Sequence, residues 1–210
     1  EGIPRAVVVT KLDRDRSSFE RTLDQLRDSF GKAIAPIQVP IGSEDGLRGL
    51  VRVASERAYE YAEEEKEGKE VDLPSEVEEL VHAAHTALVE TVVETDDEMM
   101  EAYFEGKEPS REQIVTTIHK GIVAGDIQPV LVASAERLIG IDLLAEFIVD
   151  YGPNPLERTL PALTSGDPTP PSTDGPTAAF VFKSVSDPFV GRISLFRIYS
   201  GTVEADQELD

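Results

Sequence analysis

The chain contains no cysteine. That excludes disulfides, thiolate zinc sites and a cysteine nucleophile, and it fits a cytoplasmic protein. No apolar run approaches ~18 residues, so no segment reads as a membrane-spanning helix. The first residues, EGIPRAVVVT, lack the basic and apolar regions of a signal peptide. Positive charge is scarce: 20 Lys+Arg stand against 41 Asp+Glu, a formal net charge of −21. Such a field repels a phosphate backbone, and no Lys/Arg cluster is large enough to override it. Direct nucleic-acid contact is therefore not expected, whereas a basic protein partner is. The acidity is uneven, because residues 56–112 hold 20 acids and 5 bases, a net of −15. The remainder is ordinary for a globular chain: 210 residues, 40% hydrophobic and 29% charged. That is enough for a real core, and the length allows one or two domains.

Apolar patterning gives the order of elements. Ala6, Val7, Val8 and Val9 in the segment Ile3 to Thr10 read as a buried strand of a parallel sheet. Ser17 and Glu20 stand at capping-box spacing, and Phe19, Leu23, Leu26 and Phe30 fall on one helical face closed by Gly31. Ile34 to Val39 reads as a second strand, so strand, helix and strand occupy about 36 residues, the size of a βαβ unit. From residue 41 the pattern changes. IGSEDGLRGL reads as turns, Leu50 to Tyr61 is ambiguous between strand and helix, and EEEKEGKEVD reads as a solvated loop or hairpin tip. Three helices follow. The first opens at Ser75 and Glu78, with Val77, Leu80, Val81, Ala84 and Leu88 inward. The second runs near Asp96 to Glu105, with Met99, Met100, Tyr103 and Phe104 inward. The third opens at Ser110 and Gln113 and carries Ile114, Ile118 and Ile122. Pro129 to Ala133 is again a buried strand, and Ile141, Leu144, Ile148 and Tyr151 mark a last helix. Residues 156–176 are rich in proline and read as an extended linker. Two strands, Ala178 to Val185 and Arg192 to Tyr199, then open an all-β domain.

Two strand ends carry chemistry. VVVT continues into Thr10-Lys11-Leu12-Asp13, the [NT]KxD pattern of guanine-nucleotide proteins. A carboxylate accepts two hydrogen bonds and so matches the N1–H and exocyclic amine of guanine; adenine has no such donor pair. The Lys11 stem is expected over the ring, with Thr10 tying the loop. After the later strand, Ser134-Ala135 matches the SA signature, whose loop N–H meets guanine O6. Each signature is weak alone. Together, at the ends of two buried strands, they are strong. Glu79, His82 and His85 offer only half of an E-x-x-H metal motif, and the histidines read as surface or half-buried ones. His119 and the Met99–Met100 pair suggest no site.

Collinear phrases extend the match. PIGSEDGLRG at 40–49, YFEGKEPSREQI at 103–114, IDLLAEFIVDYGPNP at 141–155 and DPFVGRISLFRIYSGTV at 187–203 resemble elongation factor G, a translational GTPase. Thr10 in place of the commoner Asn, and Ala133 in place of Gly, suggest a divergent paralogue. The resemblance implies an α/β chain, part of a P-loop GTPase doubly wound sheet. Residues 1–40 and 127–155 would be pieces of the GTPase domain, 41–126 an acidic α+β insertion, 156–176 a linker and 177–210 the first strands of a translation-factor β-barrel. It implies GTP or GDP with Mg²⁺ as ligands of a longer parent that hydrolyses GTP on the ribosome in the translocation step. Thr10, Lys11, Asp13, Ser134 and Ala135 would read the base. No G-x-x-x-x-G-K-[ST] phosphate loop occurs in these residues, so this stretch by itself is expected to bind no nucleotide and to be inactive. The resemblance also implies contact between the acidic insertion and the ribosomal stalk protein. Glu94, Asp97, Glu98, Glu101 and Glu105 lie at near-helical spacing and are the expected contact residues. Release factor three and the tetracycline ribosomal protection proteins share the architecture, and a non-catalytic acidic interaction module is the alternative from another class. An open β-barrel edge would also favour self-association.

Overall fold

Proline at position 36 and glycines at 42, 46 and 49 divide the first half of this chain between two kinds of sheet. The computed structural model describes residues 3–63, 65–157 and 172–207. Most of the expected linker, residues 158–171, lies outside the described residues. Along the chain run β1 (Val7–Val9), α1 (Phe19–Phe30), β2 (Ile34–Pro36), β3 (Gln38–Ile41), β4 (Gly49–Arg52), β5 (Arg57–Glu60), β6 (Lys69–Val71), α2 (Ser75–Val93), α3 (Asp97–Phe104), α4 (Arg111–Ala124), β7 (Gln128–Val132) and α5 (Ile141–Tyr151). Two further strands, β8 (Ala178–Asp187) and β9 (Gly191–Ser200), belong to a second compact unit, Asn154–Asp210; the elements before them make up the first, Glu1–Pro153. The architecture is mixed α/β, and no helix among the described residues is long and apolar enough to cross a membrane.

The parallel sheet has the order β1–β7–β2, with Val9 opposite Val132 and Pro36 opposite Val130. Its central strand is buried along its whole length, as the unbroken run PVLV requires of a strand covered on both faces. The single strand expected over Ile34 to Val39 is two strands. Pro36 has no N–H to continue the ladder. At Ile37 the chain serves both sheets: its N–H donates to the Val130 carbonyl (3.1 Å), and its own carbonyl accepts from the Val53 N–H (3.0 Å).

β3, β4, β5 and β6 then form an antiparallel meander. Val39, Val51, Ala58 and Val71 stand opposite one another across all four strands. The first three are fully buried, and α2 and α4 pack against this part of the molecule. The ambiguous stretch 50–61 is thus β4 and β5, joined by a tight turn that ends with Glu56 at φ +51°.

Helix starts differ from expectation in two of three cases. Ser18, not Ser17, caps α1, accepting from the Arg21 N–H (3.2 Å); Ser17 Oγ instead donates to the Leu12 carbonyl (2.8 Å). Ser75 is the first residue of α2, and the preceding Pro74 makes no side-chain cap. The box at Ser110 and Gln113 is complete. Helix faces also differ. Phe30 is exposed at the end of α1, and α5 turns Leu143 and Phe147 inward while Ile141 and Ile148 face outward.

In the second unit β8 and β9 form a two-stranded antiparallel sheet. The Asp187 carboxylate accepts from the N–H groups of Phe189 (2.8 Å) and Val190 (2.9 Å) and so shapes the turn, where Gly191 takes φ +87°. These two backbone donors hold its carboxyl below the usual carboxylate range.

Candidate functional site

The C-terminal ends of adjacent parallel strands are where α/β sheets place ligands, because loops diverge there and leave a crevice. β1 and β7 are such neighbours, and the Ala133 N–H donates to the Val9 carbonyl (3.1 Å), carrying the pairing one residue past the strands. Beyond this point the chains separate into two loops, Thr10 to Ser17 and Ser134 to Ile139.

The first loop turns through Lys11, which adopts φ +61°. Leu12 is buried and anchors it. The Leu12 carbonyl accepts from Ser17 Oγ and from the Glu44 N–H, each at 2.8 Å. Thr10 does not tie the loop: its side chain is exposed and makes no hydrogen bond among the described residues. The pinning falls instead to Ser17 and Glu44.

The second loop closes on itself through the Ser134 N–H and the Ile139 carbonyl (2.9 Å). Gly140 follows at φ +73°, where a Cβ would stand 2.6 Å from the Val132 carbonyl oxygen. One strand residue earlier in the crevice, the Val132 N–H donates to the Oε1 of Gln38 (2.9 Å), a buried amide that completes the ladder where β2 has ended.

The two loops meet at one bond. Ser134 Oγ donates to Asp13 Oδ1 at 2.8 Å, joining residues 121 apart in sequence, and accepts from the Arg137 N–H (3.3 Å). Ser134 is fully buried, and the Asp13 side chain is 7% exposed. Burial pushes the Asp13 carboxyl up. The Ser134 hydroxyl, its own backbone N–H and the charges of Arg14 and Arg137 outweigh that and hold it below the usual carboxylate range. Arg14 Nε lies 3.4 Å from Oδ2, and its guanidinium also pairs with Glu136 across the crevice. Lys11 and Ala135 are exposed at the rim, and the Ala135 N–H donates to nothing among the described residues. The expected base-reading residues are therefore brought together, Thr10 excepted as a tie. The arrangement presents an ionised carboxylate beside a free backbone N–H.

A third segment supports both loops and carries no motif. The turn at residues 42–47 bonds to the first loop through Glu44 and to the second through Arg137, whose guanidinium donates to the carbonyls of Asp45 (2.8 Å) and Leu47 (3.2 Å). Only the phrase SEDGLRG hinted at it. Further along, Tyr61 O–H donates to Asp142 Oδ1 (2.6 Å) and the Gly68 N–H to Oδ2 (3.0 Å), fastening the β5–β6 connection to the start of α5. Burial first, and Asp142 second, push the Tyr61 phenol far above its ordinary value.

The acidic residues lie elsewhere. Asp97, Glu98, Glu101 and Glu105 are exposed along α3 and its end, and Glu94 is exposed at the end of α2. At about 100° per residue the four on α3 share one arc opposite Met99 and Tyr103. Phe104 departs from the expected core side. It sits in the last turn at the edge of the apolar arc and is 81% exposed. Glu105 pairs with Lys107 (2.9 Å). His82 is exposed and His85 half-buried on α2.

No family model matches the chain. Among solved structures, the protein ttk003000868 from Thermus thermophilus is similar, with 37% sequence identity and a TM-score of 0.74 over 95% of this chain. The match takes in 28% of that protein, so this chain spans little more than a quarter of the length of its solved relative.

Proposed function

We propose that this chain is the guanine-reading side of a translational GTPase of the elongation factor G type, in which residues 1–40 and 127–155 belong to the nucleotide domain and 41–126 to an inserted acidic subdomain. The observation that carries the reading is the 2.8 Å bond from Ser134 to Asp13 at the ends of two neighbouring parallel strands. It fixes one carboxylate oxygen and keeps the group charged, so the carboxylate is preorganised to accept from N1–H and the 2-amino group of guanine. In this reading the Ala135 N–H meets O6 and the Lys11 stem covers the ring. Oδ2 is otherwise approached by Arg14, whose Nε lies 3.4 Å away on a side chain that is 59% exposed. The donor and acceptor set suits guanine and offers adenine no match.

Phosphates and Mg²⁺ are held by residues outside this stretch, since none of its three Gly-Lys pairs has the P-loop spacing. Hydrolysis is attack of water on the γ-phosphate in the parent protein. The exposed acids of α3 and Glu94 recruit the ribosomal stalk protein by charge.

Asp13→Asn in the full-length protein that carries this chain tests the reading. The amide turns one acceptor into a donor, so guanine nucleotide affinity falls about 100-fold and xanthine nucleotide gains relative to it. Competition binding of the two diphosphates measures this. Unchanged preference for guanine would show that Asp13 does not read a base.

A further inference from the structure

We propose that the turn at residues 42–47, together with Arg137, is a brace that sets the separation of the two base-facing loops and so determines base selectivity. The inference rests on the reading of Asp13 given above, and it assigns a role to residues that touch no base. On one side the turn grips the first loop at two points flanking Asp13. The Glu44 N–H donates to the Leu12 carbonyl (2.8 Å), and Glu44 Oε1 accepts from the Arg16 N–H (2.8 Å). On the other side Arg137 donates to two carbonyls of the turn, Asp45 at 2.8 Å and Leu47 at 3.2 Å, while its own N–H holds the Ser134 hydroxyl that fixes Asp13. The bonds close a ring from Asp13 through Ser134, Arg137 and the turn back to Leu12.

The turn itself is stiff. Gly42 adopts φ +79°, and a Cβ there would stand 2.0 Å from the Gly46 carbonyl oxygen, so the backbone is folded as tightly as glycine allows. The Asp45 carboxylate also lies 3.2 Å from the guanidinium, but it is 96% exposed and adds little in water. The two carbonyl bonds do the holding, and they need the planar fork of arginine. A carboxylate discriminates guanine from hypoxanthine, which lacks the 2-amino donor, only while its distance from the O6-facing N–H is kept. Glu44 and Arg137 are therefore positioning residues.

The test compares GDP with IDP, the hypoxanthine diphosphate, in the full-length protein. Arg137→Ala and Glu44→Ala should each lower the GDP-over-IDP affinity ratio roughly tenfold. Glu44→Gln, which keeps the acceptor for Arg16, should restore most of it. If Arg137→Ala does not fold, Arg137→Lys keeps the charge without the fork and should give the same loss. A merely structural role would weaken both nucleotides alike, and an unchanged ratio in the folded variants overturns the brace. Asp13→Asn is the control arm. If it shifts preference toward xanthine while the ratio in Arg137→Ala and Glu44→Ala is intact, the brace alone is wrong. If it shifts nothing, the base-reading site falls and the brace's role falls with it.

Discussion

Asp13 is a nearly enclosed carboxylate that stays charged because its partners outweigh its burial. The consequence for stability has a definite sign. A carboxyl whose folded value lies below its ordinary 3.8 contributes stability that is complete above that value and is lost as the pH falls through the folded one. Asp13→Asn removes this contribution and leaves every other titrating group in place. Urea midpoints of the two proteins should differ at about pH 7 and converge in acid, as the pH falls through the lowered folded value and the wild-type carboxyl takes up its proton. A gap of constant size across that range would mean that the charge of Asp13 is not stabilised by the fold.

α3 is short, yet its two faces have opposite chemistry, with Met99 and Tyr103 against the core and Asp97, Glu98 and Glu101 in water. Acids that lack internal partners act at a distance, by raising encounter rates with a basic surface. Glu98→Lys combined with Glu101→Lys should slow association with purified stalk protein about tenfold at low salt and much less at high salt, mainly through the association rate constant. Equal rates at low salt, with the fold intact by circular dichroism, would leave these side chains as a solvated face. Elements of this kind were legible in the sequence because one period dominates them: α2 buries Val77, Val81, Ala84 and Leu88 as spaced. The α5 sequence IDLLAEFIVDY is apolar on two faces, so periodicity alone cannot choose Leu143 and Phe147 over Ile141 and Ile148. The split at Ile37 was hidden because a strand passing from one sheet to the next keeps the same residue preferences throughout. Asp13 and Ser134 were legible because local motifs mark them. The side chains of Arg137 and Glu44 bond to backbone carbonyls and N–H groups, so no matching partner residue type marks these contacts in the sequence.

The first unit has a core of its own, with Val51, Leu88, Ile118 and Val130 fully buried, whereas the second unit's described strands show Phe180, Phe182, Leu195 and Phe196 substantially exposed. A lone two-stranded hairpin is marginal in water, so cooperative stability resides in the first unit. Residues 1–153 expressed alone should therefore melt in one cooperative transition, followed by calorimetry. A broad, non-cooperative melt would show that the core is not self-sufficient. The bond that closes the crevice also dictates when it can form. Asp13 and Ser134 are 121 residues apart, and β1 meets β7 only after everything between them has been drawn in. The β3–β6 meander pairs only strands that follow one another in sequence and can form early, which shortens the loop the sheet must still close. On a ribosome making this protein, the first loop would thus meet the turn at 42–47 early, while Asp13 waits for Ser134 through the synthesis of more than a hundred residues. The Asp13–Ser134 bond exists only from the moment β7 arrives, so a chain cut short before that strand lacks the proposed base-reading arrangement altogether.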